Sequence, residues 1–236
     1  MIHPITYHTE ALKLMGIPAV LSMKRLELIE EMERKFKRKL PSSFRELYAV
    51  EGVEEWFEQH NWDQLVPLQR LELETRKFWE EELQLKFLDI PVNMTADEGI
   101  PIFIECQGCW TWWVLLTGSN DPPVIVESLE DDAQILACER LSDFIFANVW
   151  DRAIRGNLIT GTYEQEQKFL CYLRTHFDEK PATRLTATVN RYRFGFQDCK
   201  MLLWDETCQF FLSADSEETQ EKVLRLIEPF VKLDHR

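Results

Sequence analysis

Apolar residues in the early part of the chain recur at steps of three and four. Between Met23 and Lys39, the positions Leu26, Ile29, Met32, Phe36 and Leu40 share one face, which predicts a helix. Glu27, Glu30, Glu31 and Glu33 precede Lys35, Lys37, Arg38 and Lys39, an order that complements the helix dipole and reads as a solvated face. Pro41 disfavours the helical conformation in Leu40 and ends this helix. A second helix starts at once. Ser42 or Ser43 can cap it, Ser43 and Glu46 have capping-box spacing, and Phe44, Leu47 and Tyr48 form its apolar face. Gly52 is placed to terminate it. A short helical turn is expected over Glu54 to Gln59. An extended edge follows over Asn61 to Leu68, which Pro67 keeps out of a sheet centre. Leu71 to Leu88 reads as helical again, with Leu73, Phe78, Leu83 and Phe87 apolar. Residues 1 to 22 show no clear period and read as an irregular lead-in packed on the main body.

The period then changes. Ile100 to Glu105, Cys109 to Leu116, Val124 to Glu127 and Ala133 to Cys138 are short runs rich in Ile, Val, Trp and Phe, separated by Gln107-Gly108 and by Thr117 to Pro123. That alternation of strands and turn residues predicts an antiparallel meander. Trp110 and Trp112 fall on one face of their strand, Thr111 and Trp113 on the other, so both faces should be covered. A helix is expected over Ser142 to Arg155, stopped at Gly156, with Phe144 (or Ile145), Ala147, Val149 and Trp150 apolar. Residues 157 to 236 read as helix-strand-strand-strand-helix: Glu164 to Thr175, then Arg184 to Phe196, Lys200 to Asp205 and Gln209 to Leu212, then Glu217 to Val231. The expected organisation is a main α+β domain over 1–156 and an α-β-β-β-α extension over 157–236.

Composition adds little about fold and something about partners. A chain of 236 residues is long enough for a sizeable core, and 45% hydrophobic with 29% charged residues argues against disorder. Eight Trp among the aromatics are enough to keep a binding surface in view. Lys plus Arg is 27 against 41 Asp plus Glu, a net charge of -14. Such a chain repels phosphate backbones and anionic lipid, which argues against direct nucleic-acid binding and favours a basic protein partner. Acidity for solubility alone is the plainer alternative. No run approaches a membrane span and the first twenty residues lack a signal-peptide pattern, so a reduced cytoplasmic setting is expected for the six cysteines.

Three segments carry a resemblance. Leu40-Pro41, Phe44, Leu47-Tyr48 and Gly52 resemble the opening motif of SUKH (Smi1/Knr4-like) domains, although Val50-Glu51-Gly52-Val53 replaces the family's Asn-Gly-Gly-like turn. Glu105-Cys106-Gln107-Gly108 with Trp110 and Trp112 is similar to the family's Gln-Gly hairpin and aromatic strand. Asp121-Pro122-Pro123-Val124 is similar to its Asp-Pro-Pro-Val strand start. The resemblance spans about residues 24 to 150. It implies an α+β SUKH fold, with N-terminal helices on a mixed, bent, mostly antiparallel sheet. It also implies a non-enzymatic immunity protein that binds and neutralises a toxin, often a nuclease or a nucleic-acid deaminase. A regulatory scaffold is the alternative within the family. The motif residues Leu40, Pro41, Phe44, Gly52, Gln107, Gly108, Trp110, Asp121, Pro122 and Val124 read as structural.

Catalytic chemistry finds little purchase. Cys106-x-x-Cys109 could form half a zinc or redox site, but it straddles a strand-to-strand turn, and Cys199 and Cys208 are widely spaced as further ligands. The expectation is therefore of small thiols, no metal and no cofactor. A metal-dependent hydrolase built on these cysteines and nearby acids is the remote alternative. The five histidines are scattered, and no phosphate loop is present. Glu127, Glu130, Asp131 and Asp132 form an acidic loop cluster whose plainer reading is a solvated loop; as a site, with Trp112, it is the candidate partner-binding patch, able to steer a basic surface.

Overall fold

The computed structural model describes residues 5–60, 63–78, 96–128, 130, 133–155, 158–185 and 189–234. These form an α+β protein with seven α-helices and two antiparallel sheets among the described residues. The chain divides into two units, Met1–Ile145 and Phe146–Arg236. The division falls inside helix α5 (Leu141–Ala153).

The first unit opens with α1 (Thr9–Met15), a helix that the lead-in's weak pattern did not predict. Its Ala11, Leu12 and Met15 are buried. The expected helices follow as α2 (Met23–Phe36), α3 (Ser42–Ala49) and α4 (Val53–Gln59), with Gly52 immediately before α4 rather than at the end of α3. The Ser43–Glu46 capping box does not form. The Ser43 amide donates to Asn120 O at 2.9 Å, and the Glu46 carboxylate is taken by another segment. Strand β1 (Asp63–Leu65) pairs with Phe103–Glu105 of β3 (Ala96–Glu105).

The helix expected over Leu71 to Leu88 is corrected where it can be seen. Glu74–Phe78 is strand β2, paired antiparallel with β3. Pairing with a distant strand overrode a helix-like local pattern. Residues 71–73 before it are not helical, and residues 79–88 lie outside the described residues, as do Asn61, Trp62 and Gly156.

The meander forms as expected. β3, β4 (Trp110–Leu115), β5 (Val124–Ser128) and β6 (Gln134–Cys138) lie side by side in chain order, and every recorded pairing is antiparallel rather than mixed. Its core includes an aromatic row. Phe57 meets Phe103 edge-on at 5.1 Å, and Phe103 meets Phe144 at 5.7 Å.

The second unit holds a six-stranded sheet in the order β12-β7-β11-β10-β9-β8. The three expected strands are present as β9 (Asn190–Phe196), β10 (Cys199–Trp204) and β11 (Gln209–Ser213). β7 (Ile159–Tyr163), β8 (Asp178–Arg184) and β12 (Val231–Leu233) extend them. Phe169, Leu173, Phe194, Met201, Phe210 and Val223 are fully buried where α6 (Glu166–His176) and α7 (Glu217–Ile227) cover one face. Ser216 caps α7 by accepting from the Thr219 amide at 3.2 Å. Among the described residues no helix is long and apolar enough to cross a membrane.

Candidate functional site

The segments that carry the resemblance serve as scaffold. Leu40, Pro41 and Phe44 are buried where α2 gives way to α3. Ser42 Oγ donates to Asn120 Oδ1 at 2.9 Å, beside the Ser43–Asn120 backbone bond. Asp121 then caps α5, its carboxylate accepting from the Ser142 amide at 2.9 Å and from Ser142 Oγ at 2.5 Å. The Leu141 amide donates to Pro122 O at 2.7 Å, and Val124 begins β5 with no exposure. At the hairpin, Gly108 has φ of +77°, a conformation that glycine adopts without steric cost. Glu105 closes that turn by accepting from Gln107 N at 2.9 Å and Cys109 N at 3.2 Å. Gln107 is exposed and Trp110 half-buried.

Two residues of the expected partner patch are buried. Trp112 lies 5% exposed in the core against Phe144, and Glu127 is 4% exposed, with Gln134 Nε2 donating to its carboxylate at 2.6 Å. Both positions fall on inner strands of the meander, where side chains on either face are covered. Glu130 is exposed, and Asp131 and Asp132 lie outside the described residues. Cys106 is exposed and Cys109 half-buried. Cys106 Sγ lies 3.4 Å from a Glu105 carboxylate oxygen, and this hydrogen bond pushes the thiol above its ordinary value, which disfavours the thiolate that metal binding and redox exchange need. Among the described residues no group of three or more His, Cys, Asp or Glu is placed to hold a metal ion.

A different site comes from the N-terminal helices. The Glu46 carboxylate accepts from the amides of Thr6 at 2.7 Å, Tyr7 at 2.6 Å and His8 at 2.7 Å. An acid on α3 thereby satisfies the amides of the three residues that lead into α1. His8 is 1% exposed, with Nε2 donating to Ser43 O at 2.8 Å. Burial pushes its imidazole below the ordinary value, outweighing the upward pull of the Ser43 carbonyl, Glu46 and Asp121. Glu33, 4% exposed on α2, accepts from Lys39 Nζ at 2.7 Å and the Leu40 amide at 2.9 Å, and pairs with Arg45 at 2.5 Å. Burial alone would raise this carboxyl, yet its three partners hold it below the usual carboxylate range.

These ties frame an open groove of about 850 Å³, lined by Thr6, Tyr7, Leu21, Met23, Leu26, Glu27, Glu30, Ser42, Arg45 and Glu46. Met23, Leu26, Glu27 and Glu30 are spaced to form one stripe of α2. Met23 is 70% exposed. Glu46 and Arg45 are engaged in the framework, whereas Glu27 and Glu30 are exposed and form no ion pair among the described residues. A smaller groove in the second unit, about 550 Å³, runs between α7 and β12, where Arg225 is already paired with Glu221 at 3.0 Å.

No family model, curated protein or solved structure matches the chain. The groove was not foreseen in the sequence. Its signal was Met23, which extends the Leu26 face of α2 by one more turn but has no partner in the predicted core.

Proposed function

We propose that this chain is a SUKH-type protein-binding module that acts by occupying its partner, and that the partner is a basic toxin domain which it neutralises in the cytoplasm. The observation that carries this reading is the corner described above. Ser42 and Ser43, set between Pro41 and Phe44, bond to Asn120, and the adjoining Asp121 and Pro122 bond to the start of α5, so the segments of the resemblance act together as a frame. A frame of that kind supports a surface that binds. The net charge of -14 favours a basic partner, the electrostatic character of proteins that themselves bind nucleic acid.

The test is co-expression with the toxin domain encoded beside the gene. The expected result is restored growth and an equimolar complex that survives gel filtration. Failure of both protection and binding would overturn the immunity reading.

A further inference from the structure

We propose that the groove between the α1 lead-in, α2 and α3 binds a basic amphipathic segment of a protein partner, with an apolar side chain seated on Met23, Leu21 and Leu26 and Lys or Arg against Glu27 and Glu30; this rests on the protein-binding reading above. Isolated exposed apolar residues are ordinary on protein surfaces. Here Met23, 70% exposed and three residues along the chain from the 57% exposed Val20, lines a concavity together with Leu21, Leu26 and Tyr7. Its volume lies within the roughly 300–1,000 Å³ typical of ligand-binding clefts.

The walls are held before any partner arrives. Glu46 pins residues 6–8, and the Ser22 amide donates to Ala49 O at 2.8 Å. Arg25 bonds Tyr48 O and Glu54, and Arg45 is fixed by Glu33. A groove formed in advance loses little ordering entropy on binding.

Charge selects the occupant. The engaged pairs cancel, Arg34 one turn further along α2 lies 3.9 Å from Glu31, and the unpaired charge on the stripe is negative. A second copy of this chain would bring its own -14 and be repelled, and nucleic acid is excluded for the same reason. A cation on an apolar segment satisfies both the floor and the rim, the helix-in-groove mode of recognition.

The probe is a fluorescein-labelled sixteen-residue peptide of Leu and Lys patterned as an amphipathic helix, with a non-amphipathic scramble as control, read by anisotropy. The patterned peptide should bind about tenfold more tightly than the scramble. Met23→Asp should weaken binding about tenfold. Asp suits the first turn of α2 and adds attraction for Lys, so a loss reports the missing apolar contact and not the charge. The double variant Glu27→Gln/Glu30→Gln should weaken binding several-fold and flatten its salt dependence. Glu217→Gln/Glu218→Gln on α7 should leave binding unchanged. Circular dichroism melts confirm that each variant is folded. Equal binding by wild type and Met23→Asp overturns the proposal. So does equal binding of both peptides, or self-association of the chain that Met23→Asp abolishes. The peptide test uses no toxin and the co-expression test uses no groove variant, so either reading can fail alone.

Discussion

Arg193 and Asp151 meet side-on within the second unit, Nε donating to Oδ1 and Nη2 to Oδ2, each at 2.7 Å. The guanidinium is 1% exposed and also donates to Pro181 O, Arg191 O and Thr183 Oγ1. Asp151 lies on the C-terminal part of α5 and Arg193 in the middle of β9, so the pair holds that end of the helix on the sheet. Nearby, Trp150 Nε1 donates to Met201 O at 3.3 Å.

Removing one partner leaves a charge buried without its counterion. Asp151→Asn is expected to destabilise the protein by about 3 kcal/mol, the lower end for such pairs because Asp151 retains 17% side-chain exposure. Asp151→Leu/Arg193→Met should recover at least half of that loss, since an apolar pair leaves no stranded charge. Urea unfolding of the variants decides. A double variant less stable than Asp151→Asn would show that the pair itself supplies the stability.

Glu33 predicts an acid limb. Its folded carboxyl lies below the ordinary carboxylate value, so its contribution is complete above that value and is lost as pH falls through the lower folded one. Unfolding free energies measured from pH 7 to pH 3 should fall less steeply for Glu33→Gln, which starts less stable at pH 7. Parallel curves would refute the assignment.

His8 predicts a second dependence. Burial favours the neutral ring, so its folded value lies below the roughly 6.5 of a free imidazole. Stability from the neutral ring is present above that pH and is lost as pH falls through the lower folded value. Ring nitrogen NMR shifts should still report the Nε2–H tautomer at a pH where a free imidazole is half protonated. A protonated His8 there would sink the prediction.

Gly161 predicts a local effect. A Cβ there would collide with Lys232 O and come within 2.7 Å of the Phe210 ring. Gly161→Ala should cost about 1–3 kcal/mol by overpacking. It should also loosen β12, which pairs Leu233 with Gly161 and Lys232 with Thr162. Hydrogen exchange across residues 231–233 measures it, and unchanged protection would mean the edge absorbs the methyl group.

The parts of the fold legible in the sequence are those with strong local period. α2, α3, the meander and α7 each bury a face whose spacing appears in the residue order. The misses share a cause. β2 and the three-residue β12 exist through pairing with distant strands, and Leu71-Glu-Leu-Glu looks helical without that partner. Trp112 and Glu127 were expected at a surface because tryptophan and acid clusters often mark interfaces, but β4 and β5 are interior strands of the sheet. The groove was hidden because its walls come from three segments up to 40 residues apart, the lead-in tied to α3 by the Glu46 carboxylate and α2 tied to α3 by the Glu33–Arg45 pair.

That carboxylate also sets an order of events. α1 has seven residues, too few to persist as a helix alone, and the acid that anchors the three residues leading into it is carried on α3. Docking of α3 must therefore come first, and α1 winds onto a platform already built. In folding kinetics, substitution at Ala11 should accelerate unfolding and leave the refolding rate untouched, so the first helix in the chain is among the last to form.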